Sequence, residues 1–242
     1  MDGKTLRRSF TGKRRSALHM VSVWSCKNRL VLGQSRSIGK QNEIETVMEL
    51  LELLELKGSI VTLDAMSCQK KIACEIKAKG ADYLISLKGN QGHLHREVKA
   101  YFHKLHREKS DPLKEGQSAT TESGHGRIEL RHCTQVPISG WLREAQGWAG
   151  AKSVVEVVRQ RHRGENISRE THYYLSSLSV DAQQAAQAIR SHWGIENQVR
   201  WTLLFGRTRV AYAVAMVPRS WAWSDDFVEP CAHQYQYQQH TG

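Results

Sequence analysis

The sequence predicts an α/β fold carrying a β-rich insertion, and three observations predict it. Between Leu18 and Leu87, short apolar runs alternate with helix-period segments. Residues 127–178 then change character to long stretches rich in Val, Thr and Tyr, and a helical period resumes at Asp181. Alternation of this kind is the pattern of a sheet covered by helices, because each apolar strand needs an amphipathic helix to close over it.

Taken in order, Leu18–Ser25 and Leu30–Ser35 read as a hairpin about the turn-prone Lys27-Asn28-Arg29. Asn42 with Glu45 forms a capping pattern ahead of Val47, Leu50, Leu51 and Leu54 at helical spacing, and Gly58 closes that helix. Ser59–Leu63 is a buried strand with Asp64 at its C-terminal end. Lys70–Lys79 is a helix stopped by Gly80, and Asp82–Leu87 is a further strand. Gln91–Glu108 is a long polar helix and Asp111–Gly124 a loop. Arg127–Val136, Lys152–Arg161 and Ser168–Leu178 are the β-rich insertion. From Asp181 a last helix runs through Ala185, Ile189, Trp193 and Glu196 toward Leu203. The expected divisions are 1–124 for the first part of the core, 125–180 for the insertion, 181–204 for the completing helix, and 205–242 for a low-complexity tail with no imposed structure.

At 242 residues, with 40% hydrophobic and 24% charged residues, the chain can bury a real core. No apolar run approaches the roughly 20 residues of a membrane span, and the basic N-terminus lacks a following apolar region. The expectation is a soluble intracellular protein. Five cysteines without a Cys-x-x-Cys pair argue against a disulfide scaffold or a zinc ribbon. The net charge of +11 favours a polyanionic partner, with nucleic acid first. Residues 4–15 contribute Lys4, Arg7 and Arg8 to that charge, either as a solvated loop or as an arm on phosphates.

Three acidic positions organise the chemistry: Asp2, Asp64 and Glu196. Alone, Asp64 reads equally as a helix cap and Glu196 as a surface carboxylate. Together, two strand-associated aspartates and a helix glutamate suit the carboxylate cage that holds two divalent metals about 4 Å apart for phosphoryl transfer. Lys88 and the Gly89 backbone sit where a strand opens into a helix, either as a phosphate contact or as an ordinary tight turn. His125 and Arg127 are placed for DNA, or Arg127 pairs with Glu129. Arg190 and His192 share the helix of Glu196.

Five blocks stand in order: Asp2-Gly3-Lys4-Thr5-Leu6-Arg7-Arg8-Ser9, Leu63-Asp64-Ala65-Met66-x-Cys68-Gln69-Lys70, Leu87-Lys88-Gly89-Asn90-Gln91, Gly124-His125-Gly126-Arg127-Ile128-Glu129 and Arg190-Ser191-His192-Trp193-Gly194-Ile195-Glu196-Asn197. Over residues 2–203 the chain thereby resembles the ISAs-type insertion-sequence transposases, the H-repeat-associated proteins. The resemblance implies a DDE transposase with a ribonuclease-H-like mixed sheet flanked by helices and a β-rich insertion before the helix carrying the glutamate. It implies Asp2, Asp64 and Glu196 as ligands of Mg²⁺ or Mn²⁺ in a two-metal site. Lys4, Arg7, Arg8, Lys88, Asn90, His125, Arg127, Arg190 and His192 are the candidate DNA contacts. In the family scheme an activated water frees a 3′-hydroxyl at the element's ends, and that hydroxyl attacks target DNA. The implied partners are insertion-sequence ends and target DNA, with a homo-oligomer on paired ends, in the cytoplasm at the nucleoid.

The related Tyr-x2-Arg-x3-Glu-x6-Lys signature does not carry over, because its Arg position is His192 and its Lys position is Leu203. Only Met1 precedes Asp2, and after Leu203 the family's Trp-x-Leu-Asp-Val pattern gives way to Leu204-Phe205-Gly206-Arg207. The expectation is a transposase damaged at both ends, with weak or lost catalysis. The alternative is a non-catalytic DNA-binding remnant held to DNA by its basic surface.

Overall fold

In the computed structural model the described residues are 1–5, 19–37, 43–108, 116–124 and 126–192, with only the backbone described for 2–5 and His19. Two sheets meet near the chain start. The first is antiparallel and three-stranded: β1 (Asp2–Thr5), β2 (His19–Ser25) and β3 (Leu30–Ser37), in the order β1-β2-β3. Asp2 faces Ser22 and Thr5 faces His19, and β2 pairs with β3 from His19↔Ser37 to Ser25↔Leu30, with a bulge between Val23 and Trp24. The expected hairpin is therefore present, and Arg29 takes a left-handed φ of 54° in its turn.

Helix α1 (Glu43–Leu53) buries Thr46, Val47, Leu50 and Leu51, the i, i+1, i+4, i+5 face that the sequence period marks. It packs closely on β3 because Gly33 has no side chain: a Cβ there would stand 3.3 Å from Leu50 Cδ2. After α1 the chain enters β4 (Ile60–Leu63), crosses through α2 (Lys70–Ala78) and returns in β5 (Asp82–Leu87), parallel to β4 with Ile60 opposite Asp82. Gly80, at φ 68°, ends α2, its N–H donating to Lys77 O while the Ala81 N–H donates to Ile76 O.

A short 3₁₀ turn, Gly89–Gln91, leads into α3 (Gly92–Arg107). Four antiparallel strands then extend the sheet of β4 and β5: β6 (Gln117–Gly124), β7 (Arg127–Pro137), β8 (Ser153–Arg163) and β9 (Asn166–Ser176). The order is β4-β5-β9-β8-β7-β6, and β9 lies against β5 from Leu84↔Ser176 to Leu87↔Tyr173. The insertion thus continues the core sheet. One expectation changes: Gln117–Gly124, read as loop, is strand. Its side chains are nearly all exposed, so no apolar alternation announces it. Its conformation comes from eight paired positions on β7, Gln117↔Thr134 to Gly124↔Arg127.

The six-stranded sheet is covered on both faces. Tyr83, Ile85, Leu87, Tyr173 and Leu175 join the core beneath α1, α2 and α3. Leu84, Val155 and Tyr174, alternate residues of the same strands, join Ala182, Ala185 and Ile189 of a further helix, α4, helical over 182–192. The helix begins where the sequence starts it, and Asp181 caps it, its carboxylate accepting from Gln184 N at 2.9 Å. Asn42, residues 193–203 and the expected tail lie outside the described residues.

Candidate active site

Strand β4 carries a hydroxyl in an apolar run, Ile60-Val61-Thr62-Leu63, and that residue is where three distant parts of the chain meet. The N-terminal ammonium of Met1 donates to Thr62 O at 2.8 Å, and the Met1 side chain is buried in the core. Standard bond lengths then hold the Cα atoms of Asp2 and Asp64 no more than about 15 Å apart. On its side-chain edge, Thr62 Oγ1 lies 3.0 Å from Nδ1 of His192 on α4. Burial pushes the His192 ring down to about 4, with the N-terminal charge adding to the effect, so at neutral pH the ring is uncharged. A neutral ring bonded to β4 pins α4 rather than offering a cation to phosphate. Ser191 O, the neighbouring carbonyl, lies 3.8 Å from Cys26 Sγ at the end of the β2–β3 hairpin.

Asp64 follows β4 directly and is half-buried. Its Oδ1 accepts from Ser67 N at 3.3 Å, closing the turn that leads to α2. The helix-capping role weighed for it falls to Gln69 instead; the Asp64 carboxylate closes the preceding turn, which fixes its orientation at the strand end. The turn is gripped from the far side by the Lys88-Gly89-Asn90-Gln91 block. Asn90 Nδ2 donates to Ala65 O, and Gln91 Nε2 donates to Cys68 O at 2.9 Å. Asn90, a candidate DNA contact in the sequence, and Gln91, which had no assigned role, both hold the loop of Asp64. Lys88 remains exposed at the mouth of that loop. Cys68 is fully buried, and burial, reinforced by the Asp64 charge, pushes its thiol up to about 12.

The other candidates are dispersed. Arg190 of α4 has its Nη2 2.6 Å from Glu122 Oε2 of β6, a carboxylate that also takes Arg131 at 3.1 Å. Arg127 is exposed at the start of β7 beside the turn at Gly126, φ 69°. The pairing considered between Arg127 and Glu129 falls instead on Arg131, Arg159 and Arg161. Burial pushes the Glu129 carboxyl up, but those three guanidiniums outweigh it and hold it below the usual range. Asp2 and Lys4 are described in backbone only, while Arg7, Arg8, His125 and Glu196 lie outside the described residues. Among the described residues no three metal-ligating side chains converge, and of the carboxylate trio only the Asp64 side chain is among them. Thr62 and Gln91 are the site residues that sequence reasoning missed. The signal for Thr62 was a hydroxyl interrupting an otherwise apolar buried strand, a position that requires a partner.

A mixed sheet covered by helices on both faces, with an aspartate at the end of β4 and helix α4 docked beside it, is a ribonuclease-H-like fold. The chain matches the Transposase DDE domain family over residues 1–213, past the point at Leu203 where the block-by-block resemblance stops. It belongs to the DDE transposase family. YncI of Escherichia coli O157:H7, named for a transposase role, is 43% identical over 208 residues, covering 84% of this chain and 53% of that protein. YhhI of Escherichia coli K12, an H repeat-associated protein likewise named, is 38% identical over 215 residues, covering 84% of this chain and 54% of its own length. The chain thus spans about half the length of these curated relatives. No helix among the described residues is long and apolar enough to cross a membrane.

Proposed function

We infer that the chain is a DDE transposase in kind, with weakened catalysis: it binds the ends of an insertion sequence and target DNA, and cleaves and joins DNA strands with a divalent metal. The observation supporting this is the double attachment at Thr62. It ties the residue before Asp2 and the helix leading toward Glu196 to the strand that ends at Asp64. Glu196 stands four positions after His192 in the sequence, the spacing that puts two residues on one face of a helix.

Asp2, Asp64 and Glu196 would hold the ions. Their donors are all carboxylate oxygens, which suits a hard cation such as Mg²⁺ or Mn²⁺, while the adjacent Cys68 thiol is buried and protonated and does not compete as a soft ligand. Bound there, the ions would activate the attacking oxygen and neutralise charge at the phosphorus. The protein's own part is positioning: Ser67, Asn90 and Gln91 fix the Asp64 loop, and His192 fixes α4. The work would be done at the nucleoid in the cytoplasm, by an assembly of copies on paired ends.

The test is nicking of supercoiled plasmid in Mn²⁺. Nicking by the wild-type chain that Asp64→Asn abolishes is the expected result. DNA binding with no metal-dependent cleavage would instead leave the second reading, a DNA-binding remnant.

A further inference from the structure

Helix α3 has a basic face whose position the catalytic reading does not use. Leu94, Val98 and Phe102 are buried, so the opposite face, Arg96, Lys99, Ala100, His103, Lys104 and Arg107, points to solvent, and every one of those six is exposed. They line a shallow depression of about 570 Å³. The carboxylate that approaches this face, Glu108, sits 3.9 Å from Lys104 at its far end, while Glu97 lies by His93 at 3.8 Å, off the stripe. His95 packs edge-on against Tyr173 with centroids 5.5 Å apart, and His106, itself exposed, meets the buried Glu156 at 2.6 Å. Among the described residues, the stripe therefore concentrates four full positive charges with Glu108 the acid paired to it, at its far end.

The geometry points to a track for double-stranded DNA: the exposed face of α3 grips the sugar-phosphate backbone of the duplex that leads into the Asp64 loop. This rests on the nucleic-acid reading above and specifies where the duplex lies. Arg96 to Arg107 spans eleven residues, about 17 Å at the helical rise, which matches about five steps of a DNA strand. The helix starts directly after Asn90 and Gln91, whose side chains hold the loop of Asp64, so the stripe leads away from that carboxylate. The chemistry of the face favours the duplex backbone over single strands. Tyr101 is stacked on Trp141 at 3.9 Å and Phe102 is buried, so His103 is the one ring on this face and no Phe, Tyr or Trp platform is offered to an unpaired base. It also carries no Asn or Gln for adenine edges.

The test is duplex affinity as a function of salt for the full chain and for Arg96→Gln/Lys99→Gln/Arg107→Gln. Each lost phosphate contact lowers the slope of log K against log salt by about 0.9. The expected result is a slope shallower by about 2.7, equally for unrelated duplex sequences. The control removes the same charge elsewhere, at the exposed Lys27→Gln/Lys71→Gln/Arg163→Gln, and should leave the slope within about one contact of wild type. An unchanged slope in the α3 variant overturns the proposal, as does an equal loss in the control, which would mean that net charge alone is sensed. Failure of the wild-type chain to bind any duplex is a separate outcome, and it would overturn the nucleic-acid reading itself.

Discussion

His192 makes a prediction with a sign and a size. Its ring is half-buried, bonded to Thr62 Oγ1, and lowered from the ordinary 6.5 to about 4, chiefly by burial. Unfolding releases it to bind a proton near 6.5, so below that pH the unfolded chain holds more protons than the folded one and stability must fall with acidity. The contribution is complete above about 6.5 and is lost as the pH drops toward 4. Linkage with those two values gives a loss of about 2 kcal/mol between pH 7 and pH 5 from this residue alone. For a chain of this length that is about 4–8 °C in melting temperature. His192→Gln keeps an amide for Thr62 and removes the titration. Melts of both proteins at the two pH values should show wild type losing about 2 kcal/mol more than the variant. His95 and His172 are also lowered, each first by burial, but both proteins share them, so the difference isolates His192. Equal acid losses would refute the buried, neutral ring and with it the pinning of α4 to β4.

Two further outcomes are expected. Asn90→Ala frees the Ala65 carbonyl, and metal-dependent nicking should drop about 10–100-fold while duplex affinity holds, since a loosened support costs alignment more than binding. A nicking rate equal to wild type would remove Asn90 from the positioning of Asp64. Glu129→Ala strips the shared carboxylate from Arg131, Arg159 and Arg161 in a buried cluster, and a urea titration should report a loss of about 3–5 kcal/mol; a loss below about 1 kcal/mol would mean that the three guanidiniums find other partners. Because its carboxyl is held low by those arginines, the wild-type advantage over Glu129→Ala should shrink as the pH falls through the acid range.

The network around Glu129 also explains how an insertion with a largely polar surface stays ordered. Arg159, nearly buried, engages Glu129 and Glu170, and Arg131 joins Glu129 to Glu122. Glu122 in turn receives Arg190 from α4, so a residue expected at the DNA ties the edge strand β6 to the helix leading toward Glu196. Charged groups of both signs satisfy one another across four strands, β6 to β9, where apolar packing thins out.

By itself the sequence determined the elements whose side chains repeat with the geometry of the backbone. The hairpin of β2 and β3, α1 with Leu50 and Leu51 inward, β4, α2 closed by Gly80, β5 and α3 all follow local periods and local stops, because burial acts on each segment's own spacing. It also determined the family, since five ordered blocks survive without any knowledge of contacts. Tertiary structure decided what pairs across distance. β6 became a strand only through β7, since its exposed side chains carry no alternation of their own. The insertion joined the core sheet through β9 on β5, an antiparallel pairing that neither segment announces. The site was assembled the same way: Met1 and His192 reach Thr62 across 61 and 130 positions, and Asn90 reaches Ala65 across 25. Hydrogen bonds between residues so far apart leave no periodic trace in the chain, because their partners are chosen by the packing of the sheet and its helices and not by neighbours in sequence.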